Sequence, residues 1–457
     1  MAQSEKVKDM PADNRWIEIL CEEAKKHGLT EYEIYSAKGE SLSCDVLEHE
    51  LNSFSSSSSG GISFRCRQNG RMGYASTERT EEEDLRDLVI RAIRNSEIIE
   101  ETEGPTIYGG SDNYANYSPA AVVLPEAEDM KKEALELQEK LYASDAAVSS
   151  GTQSGITAYR QTYHLVNSYG LKLSNTVGGA FAFVDAVLKE GEESNDAFAF
   201  AEYAKEDEVL GLPKKVLGEA HAKFQAQTVP SGTYDILLEA RQMTAILAAF
   251  SPVFSGKNAL MGLSLLAGKE QTCVASSCVT LWDDPMPKGS SIGTSFDGEG
   301  AATGKKSIIS EGILNTLLYD RETAAKCRRQ TTGNGQRPGY SSPVSIAPFS
   351  FSFEPGKDKE AELIQKIQRG LYITEIKGLH AGANAVTGDF SVESAGQRIE
   401  DGRLAGAVKT FTISGNFFDL LKKIEAFSDT VYWGIPSGMT RFGAPSAWIK
   451  DISVAGT

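Results

Sequence analysis

The sequence predicts an α+β protein built in three consecutive parts. These are an N-terminal α/β-meander domain at residues 1–115, a middle α+β section at 116–222, and a strand-rich C-terminal domain at 223–457. Helical periodicity alternates with strand-like segments, and the stretch 101–124 is rich in Gly, Pro, Ser and Asn. Beyond Pro230 the pattern changes to short strands and glycine-rich turns. We expect barrel-like or sandwich sheets in that last domain.

The first domain begins with a predicted amphipathic helix over residues 14–27, closed by Gly28. Alternating strand-like segments follow between Glu33 and Ala75. Asn69-Gly70 is a hairpin signal before the last of them. This part of the chain is therefore predicted to be a β-meander.

Two polar features interrupt this pattern. The serine run Ser55–Ser59 is interpreted as the polar end of a strand, followed by a turn at Gly60-Gly61. Thr80 and Glu83 have the spacing of a capping box, in which each side chain bonds the other's backbone N–H at the start of a helix. The sequence thus predicts a helix beginning at Thr80.

The middle section is predicted to start with a helix from Pro125 to about Tyr142 and to end with a helix at about 207–225. Two later helices are expected, near 359–369 and at 419–427. The strands expected in the middle section are 156–165, 171–176, 180–188 and 197–203.

The sequence of Thr233–Gly256 predicts a strand that leads into a helix. Met243, Ile246, Leu247 and Phe250 recur at three- and four-residue spacing, which indicates one buried helical face. A helix of this kind is where metallopeptidases often keep their zinc-binding histidines. This one contains no histidine.

Composition excludes several classes of function. Charged residues make up 24% of the chain and hydrophobic residues 40%, as in ordinary globular proteins. The net charge of -17 opposes direct binding to nucleic acid, which depends on neutralising phosphates. We expect no membrane span, because no apolar run approaches about 20 residues. The polar N-terminus lacks the apolar core of a signal peptide, which predicts a cytoplasmic location.

The six cysteines predict reduced thiols rather than a disulfide framework. Cys273 and Cys278 form a near pair, yet two thiols on a strand-like segment explain them better than a zinc site does. Cys327 lies beside Arg328 and Arg329, whose charges would favour a thiolate. A cysteine enzyme also needs a base, and the sequence places none nearby.

Three other motifs do not meet the requirements of their chemistry. Gly289–Gly293 matches G-x-S-x-G, but prolines precede it and no helix pattern follows, so we expect a loop. The stretch Asp297–Lys305 lacks the spacing of a phosphate-binding loop. The five histidines are at least 22 residues apart, whereas a zinc site on a helix needs two within one turn. We therefore predict no catalytic residue and no metal ligand in this chain.

The order and spacing of short motifs along nearly the whole chain identify a family resemblance. The chain resembles the TldD/PmbA family, once labelled modulators of DNA gyrase, and more closely its PmbA (TldE) branch. The segments that carry the resemblance are Gly61–Arg65, Asn69–Ala75, Phe296–Gly300, Gly312–Leu314, Thr332–Gly335, Gly378–Gly382, Thr387–Ser391, Ala444–Ser446 and Ile452–Gly456.

The resemblance implies a partner subunit in a cytosolic protease. The TldD branch holds zinc with His-Glu-x-x-x-His on a helix and a cysteine near the C-terminus. The corresponding helix here lies in Thr233–Gly256, with the motif expected near Leu247–Pro252. No histidine occurs there, and no cysteine follows Cys327. The resemblance thus implies a chain that is not catalytic alone, with zinc held by a TldD-like partner.

A TldD–TldE heterodimer implies a barrel-like interior that admits unfolded peptides and binds them as added strands. His380 and Asp389 are the candidates for lining that interior, because they lie in glycine-rich family motifs. A capped loop histidine and an Asx-turn aspartate remain the alternatives for these two residues. Two other functions stay open, namely a peptidase active on its own through an unrecognised site and a homodimeric peptide-binding protein without a protease role.

Overall fold

The computed structural model describes residues 15–100 and 106–456. It confirms a mixed α+β fold. None of the described helices is both long and apolar enough to cross a membrane. The helices are α1 (Arg15–Lys26), α2 (Glu82–Ile98), α3 (Ala127–Ser144), α4 (Glu206–His221), α5 (Ala240–Phe250), α6 (Gly256–Leu260), α7 (Arg321–Lys326), α8 (Glu360–Ile367), α9 (Leu379–Gly382) and α10 (Phe417–Lys423).

The strands range from two residues to nineteen. They are β1 (Tyr32–Leu47), β2 (Glu50–Gln68), β3 (Arg71–Thr77), β4 (Gln153–Asn167), β5 (Lys172–Glu190), β6 (Glu193–Glu202), β7 (Gly232–Leu238), β8 (Leu281–Asp284), β9 (Lys306–Ser310), β10 (Ile313–Leu314), β11 (Gly335–Gln336), β12 (Ser345–Ile346), β13 (Ser350–Phe353), β14 (Arg369–Lys377), β15 (Asp389–Glu400), β16 (Arg403–Asn416), β17 (Ile424–Trp433) and β18 (Arg441–Ala455).

The first sheet is antiparallel and has the strand order β3-β2-β1-β4-β5-β6. Its two halves meet where β1 pairs with β4, from Glu33 opposite Asn167 to Leu47 opposite Gln153. The strands of this one sheet therefore come from both sides of the sequence boundary placed at residue 115. Helices α1 and α2 pack against its β1–β3 end, and α3 and α4 pack against its β4–β6 end.

The second sheet contains ten strands of the C-terminal domain and closes partly on itself, while β11 and β12 form a separate two-stranded sheet. Its path runs β10-β9-β8-β13-β18-β16-β15-β14-β7, and β7 pairs again with β18. Strands β7, β14, β15, β16 and β18 thus form a ring, with β17 attached to β18. This agrees with the barrel-like sheet expected from the sequence.

Helix α5 supplies apolar contacts to the largest core cluster. Its four periodic residues are fully buried, as the sequence predicts. The Phe250 ring stacks on that of Phe417 with centroids 4.6 Å apart and meets Phe390 edge-on at 6.4 Å. Such aromatic pairs add to the free energy gained from buried area. The short 3-10 turn Ser251–Phe254 then ends the helix at the predicted Pro252.

The serine run lies inside a strand, so its interpretation as a strand end followed by a turn is wrong. Ser55–Ser59 and Gly60-Gly61 are all part of β2. Gly61 is required because an added Cβ would lie 2.6 Å from the Thr77 carbonyl oxygen and 2.6 Å from the Tyr340 ring. The hairpin at Asn69-Gly70 is confirmed, and both residues have positive φ angles of 50° and 82°.

Other expected boundaries also shift. The capping box is wrong, because α2 starts at Glu82 with Glu81 at the N-cap position and no side-chain cap, which leaves Thr80 too far from the first turn. The expected strands 171–176 and 180–188 are one strand, β5. It continues through Gly178, where an added Cβ would lie 2.2 Å from the Tyr159 carbonyl oxygen. The last expected helix is α10, which ends at Lys423 before β17 begins.

A matched pair of leucine variants tests the core around α5. Leu247 on α5 is fully buried, whereas Leu260 on α6 is 51% exposed. We expect Leu247→Ala to lower the free energy of unfolding by about 2–5 kcal/mol, because it leaves a cavity that the packed phenylalanines cannot fill. Leu260→Ala should change it by about 0.5 kcal/mol or less. Urea denaturation measures both, and equal losses in the two variants would contradict this assignment of the core.

Candidate functional site

The first turn of α5 carries a group of charged side chains. Glu239 is the N-cap residue and Arg241 lies within the first turn. Arg241 Nη2 is 3.2 Å from Glu219 Oε2 on α4, and its Nε is 3.5 Å from Glu239 Oε2. Burial raises the pKa of Glu239, against the opposing effect of Arg241. This ion-paired group connects the helix layer of the first sheet to the start of α5.

The carboxylate of Glu360 links the N-terminal end of α5 to the closed ring of strands. Glu360 accepts hydrogen bonds from the Tyr372 hydroxyl at 2.9 Å and from the Ser446 hydroxyl. Ser446 Oγ in turn accepts the backbone N–H of Ala240 at 2.9 Å. A free N–H of the first helical turn is thereby satisfied by a side chain of β18.

A cleft of about 610 Å³ separates the first sheet from the C-terminal domain near this point. Its walls include Phe181, Glu202, Trp433, Arg441 and the loop 287–292. Arg441 Nη2 pairs with Glu202 Oε1 at 2.8 Å, and its guanidinium lies 5.5 Å from the centre of the Trp433 ring. Aromatic faces beside paired charges suit a ligand with both apolar and polar groups.

The C-terminal end of β6, the last strand of the first sheet, lies beside this cleft, because Glu202 is part of the cleft wall. Arg241 Nη1 donates to the carbonyl oxygen of Phe198 at 2.7 Å. The Phe198 side chain is 40% exposed, and the neighbouring Phe200 ring meets that of Tyr432 on β17 at 5.9 Å. A strand edge flanked by aromatic side chains can accept an extended polypeptide through its backbone groups.

The two residues predicted to line a peptide channel lie away from this cleft. His380 is exposed on the short helix α9, and Asp389 is exposed at the first position of β15. Asn416 Nδ2 donates to Asp389 at 2.9 Å and, with the Thr387 hydroxyl, lowers the pKa of Asp389. The next residue, Phe390, packs on Phe250 at the C-terminal end of α5. Asp389 is thus near the opposite end of α5 from Glu239.

The side chains of α5 do not fit a zinc ion. At the expected motif position, Leu247 and Phe250 are fully buried among apolar residues, and Ala248 and Ser251 offer no imidazole or thiolate. Throughout residues 15–100 and 106–456, no group of three or more His, Cys, Asp or Glu side chains is arranged to hold a metal ion.

Four of the histidines have identifiable neighbours instead. His27 Nε2 lies 3.0 Å from Glu23 Oε1, and His221 Nδ1 lies 3.3 Å from Glu190 Oε1. The rings of His49 and His164 lie beside those of Tyr142 and Trp16. These four side chains are therefore held by local contacts, as lone histidines usually are.

Local contacts also account for the remaining motifs. Gly289–Gly293 lies outside any helix or strand, as expected, and Ser291 Oγ donates to the Gly178 carbonyl oxygen. Cys273 and Cys278 are exposed free thiols, and Cys278 Sγ lies 3.4 Å from the Ile424 carbonyl oxygen. Cys327 is the C-cap residue of α7. None of these groups is placed as a nucleophile next to a base in the part of the chain described.

A buried charge cluster, which the sequence did not reveal, joins the first sheet to loops of the C-terminal domain. It consists of Glu33 and Arg65 from the first sheet and Arg337, Asp297 and Glu299 from the C-terminal domain. Arg337 Nη2 donates to Glu33 Oε1 at 2.6 Å, and Arg65 Nε lies 2.8 Å from the same oxygen. Burial alone would raise the pKa of Glu33, yet the two guanidiniums hold it below its usual value.

The two acids of the C-terminal domain share one small region of the charge cluster. Asp297 and Glu299 are 1% and 2% exposed, and both approach Gly335, where an added Cβ would lie 2.7 Å from Glu299 Oε2 and 3.2 Å from Asp297 Oδ2. Burial and the charge of Glu299 raise the pKa of Asp297 to about 7. Backbone N–H groups of Glu299, Ala301 and Gly335 oppose that rise. The pair therefore retains a proton at mildly acidic pH.

Comparison with known proteins assigns the family. A model of the PmbA/TldA metallopeptidase C-terminal domain matches residues 231–456, and the model of domain 1 of the same family matches residues 32–96. The chain belongs to the PmbA/TldD metallopeptidase family. This confirms the family resemblance seen in the sequence.

Relatives of the same family extend over almost the full chain. A metalloprotease of Methanothermobacter thermautotrophicus is 25% identical over 92% of this chain and 94% of its own length. A proposed modulator of DNA gyrase from Thermotoga maritima is 26% identical, covers 96% of this chain and 99% of its own, and superimposes with a TM-score of 0.86. TldE from Thermococcus kodakarensis shares the fold, with a TM-score of 0.81, 21% identity and coverage of 96% and 100%.

Within the PmbA/TldD family fold, the charge cluster sets a pH dependence of stability. The unfolded chain releases the proton of the Asp297–Glu299 pair above about pH 4, whereas the folded protein releases it near pH 7. The free energy of unfolding should therefore fall as pH rises through this window, by at most about 1.4 kcal/mol per pH unit.

Glu299→Gln should flatten that fall, because Asp297 then keeps three backbone donors and loses its acidic neighbour. Urea denaturation at several pH values checks this. Glu136→Gln, on the exposed face of α3, is the control and should follow the wild type. If the free energy of unfolding changes with pH in the same way for wild type and Glu299→Gln, the two acids do not share a proton.

Proposed function

We propose that this chain is the PmbA/TldE-like, non-catalytic subunit of a cytosolic TldD–TldE type zinc metalloprotease that admits and cleaves unfolded peptides. In this proposal the zinc and the general base belong to a TldD-like partner subunit. This chain contributes wall and peptide-binding surface to the chamber. It is a member of the metallopeptidase family that does not cleave peptides alone.

The packing of α5 is the observation that carries this proposal. A catalytic zinc needs imidazole or thiolate ligands around an open coordination position. Here Leu247 and Phe250 are buried against the ring of strands, and Phe250 stacks on Phe417. Two further sequence facts support the proposal, since α5 contains no histidine and no cysteine follows Cys327.

The cleft beside β6 supports a role in holding peptide. Its aromatic side chains offer apolar contacts that do not depend on one particular sequence. The edge of β6 could add a strand only beyond Phe198, because Lys223 and Arg241 already donate to the carbonyl oxygens of Asp196 and Phe198. Arg441 Nη2 and Glu202 Oε1 form an ion pair at 2.8 Å, so these two side chains together add no net charge to the wall. Such a surface suits unfolded peptides of varied composition.

His380 and Asp389 are a second proposed contact region. Both are exposed. Asp389 begins β15 of the ring next to Phe390, which packs on Phe250, and His380 lies on α9 just after β14. A peptide that passed from the β6 edge along α5 would meet them after leaving the cleft. Their substitution by alanine should weaken peptide binding if they line the interior and leave it unchanged if they only cap their loop.

Co-expression with a TldD-like sibling tests the assignment of the zinc. We expect the purified chain alone to contain far less than one zinc per chain and to leave casein uncut, and the pair to bind zinc and cleave. Zinc analysis and peptide cleavage are measured for each chain and for the mixture. One zinc per lone chain, together with cleavage, would overturn the proposal.

The same experiment separates the two other functions. Cleavage by the lone chain that chelation or thiol alkylation abolishes would identify a peptidase active on its own. Failure to associate with any His-Glu-x-x-x-His sibling, with peptide binding retained, would identify a homodimeric binding protein without a protease role.

An aromatic substitution tests the cleft itself. Trp433→Ala should weaken binding of a fluorescent unfolded peptide roughly tenfold, because a stacked aromatic contact contributes about 1 kcal/mol or more. Tyr169→Ala, in the exposed turn between β4 and β5, is the aromatic control and should bind normally. Fluorescence anisotropy gives both affinities. Equal affinities for the two variants would remove the cleft from the proposal.

A further inference from the structure

A second cavity, of about 550 Å³, lies where the β2–β3 end of the first sheet meets the C-terminal domain. It shares no lining residue with the cleft near β6, which is at the other end of the same sheet. Cavities of this size between domains commonly bind small molecules. Its wall contains three basic and three acidic side chains, namely Arg65, Lys257, Arg337, Glu299, Asp320 and Glu322.

The basic part of the wall has hydrogen-bond donors to spare. The Arg337 side chain is 3% exposed, and within the described residues it donates one hydrogen bond, from Nη2 to Glu33. A guanidinium carries several N–H donors, and a buried donor without an acceptor is costly. Lys257, on the short helix α6, is exposed and has no ion-pair partner in the same part of the chain. An anionic group in the cavity would supply acceptors for both residues.

The acidic part of the wall is buried and has acceptors to spare. Glu299 and Asp320 are 2% and 5% exposed. Glu299 accepts the backbone N–H of Arg321 at 2.9 Å, and Asp320 accepts that of Thr323 at 2.7 Å. A carboxylate can accept more hydrogen bonds than this. Burial raises the pKa of Glu299, Arg65 opposes this rise and Asp320 adds to it, so groups of both charges act on one carboxylate.

The rest of the wall offers apolar contacts beside these charges. Ile99, just after α2, is 40% exposed although it is a large apolar residue. An apolar group of a ligand would cover it and gain free energy from the buried area. The apolar and aromatic lining residues are Met72, Tyr74, Ile99, Pro343 and Val344.

We infer that this cavity binds a small zwitterion, namely a free α-amino acid or a dipeptide with an apolar side chain. The carboxylate of the ligand pairs with Arg337 and Lys257, its ammonium group with Glu299 and Asp320, and its side chain with the apolar wall. A ligand with charge of only one sign would leave half of these wall groups without a partner. The inference goes beyond the proposed function, because it requires neither zinc, a second subunit nor peptide cleavage.

Ligands that lack one of the two charges test the inference on the full wild-type chain. Isothermal titration calorimetry should show saturable binding of L-leucine or of the dipeptide Leu-Leu, and the tighter of the two identifies the preferred length. Acetylation of its amino group and amidation of its carboxylate should each weaken binding at least about tenfold. The reason is that a hydrogen bond to a charged group contributes about 1.5–3 kcal/mol.

Two variants place the ligand in this cavity. Glu299→Gln should weaken binding of the zwitterion about tenfold and leave the affinity for the acetylated form unchanged. Lys257→Gln should weaken it roughly threefold and leave the affinity for the amide unchanged, because an exposed ion pair contributes up to about 1 kcal/mol. Lys269→Gln, at an exposed lysine that does not line the cavity, is the matched control and should bind as the wild type does.

Circular dichroism checks that the variants fold, and the comparison of ligands on the wild type does not depend on them. Absence of binding of both L-leucine and Leu-Leu at the highest attainable concentration overturns the inference. Equal affinity for the zwitterion and its acetylated or amidated form overturns it too, as does unchanged binding in both cavity variants. All these measurements use the lone chain without zinc, so failure here is distinct from failure of the proposed function.

Discussion

Arg337 is the buried cation that joins the C-terminal domain to the first sheet. Its guanidinium is 3% exposed, lies 4.7 Å from the centre of the Tyr35 ring and pairs with Glu33, which is fully buried. Removing either partner would leave a buried charge without compensation, which typically costs about 3–5 kcal/mol. The cleft lies between the same sheet and the same domain, at the β5–β6 end of the sheet.

The side chains of the charge cluster include more acidic groups than basic groups. Glu33, Asp297 and Glu299 are three carboxyl groups against two guanidiniums, Arg65 and Arg337. Backbone N–H donors compensate part of the excess at Asp297, and a retained proton compensates the rest, which is consistent with its pKa near 7. This explains Gly335, because an added Cβ there would lie 2.7 Å from Glu299 Oε2. Gly298 is needed for a different reason, since its Cβ would lie 2.9 Å from the Gly335 carbonyl oxygen, and Gly300 has a positive φ of 80°.

Local patterns in the sequence predict local structure well. The helix α5, the hairpin at Asn69-Gly70 and the loop at Gly289–Gly293 follow from apolar spacing and turn chemistry, which act over a few residues. The serine run misleads because the glycine pair after it has the composition of a turn, whereas pairing with β1 keeps both the serines and the glycines extended. The pair Glu33–Arg337 spans 304 residues, and no local signal connects its members. The cleft is invisible in the sequence for the same reason.

The packing of α5 also explains why zinc ligands could not simply be introduced on this helix. Histidines at two helical positions would not rebuild a site, because Leu247 and Phe250 point into a core that already fills the space. Replacing either residue by histidine would bury a polar imidazole among phenylalanine rings with no metal or hydrogen-bond partner. It would also remove apolar contacts from the core and so lower the stability of the fold. The fold of this family can therefore persist without metal ligands on α5. In this chain α5 therefore has to fill the core with apolar side chains and does not have to position metal ligands.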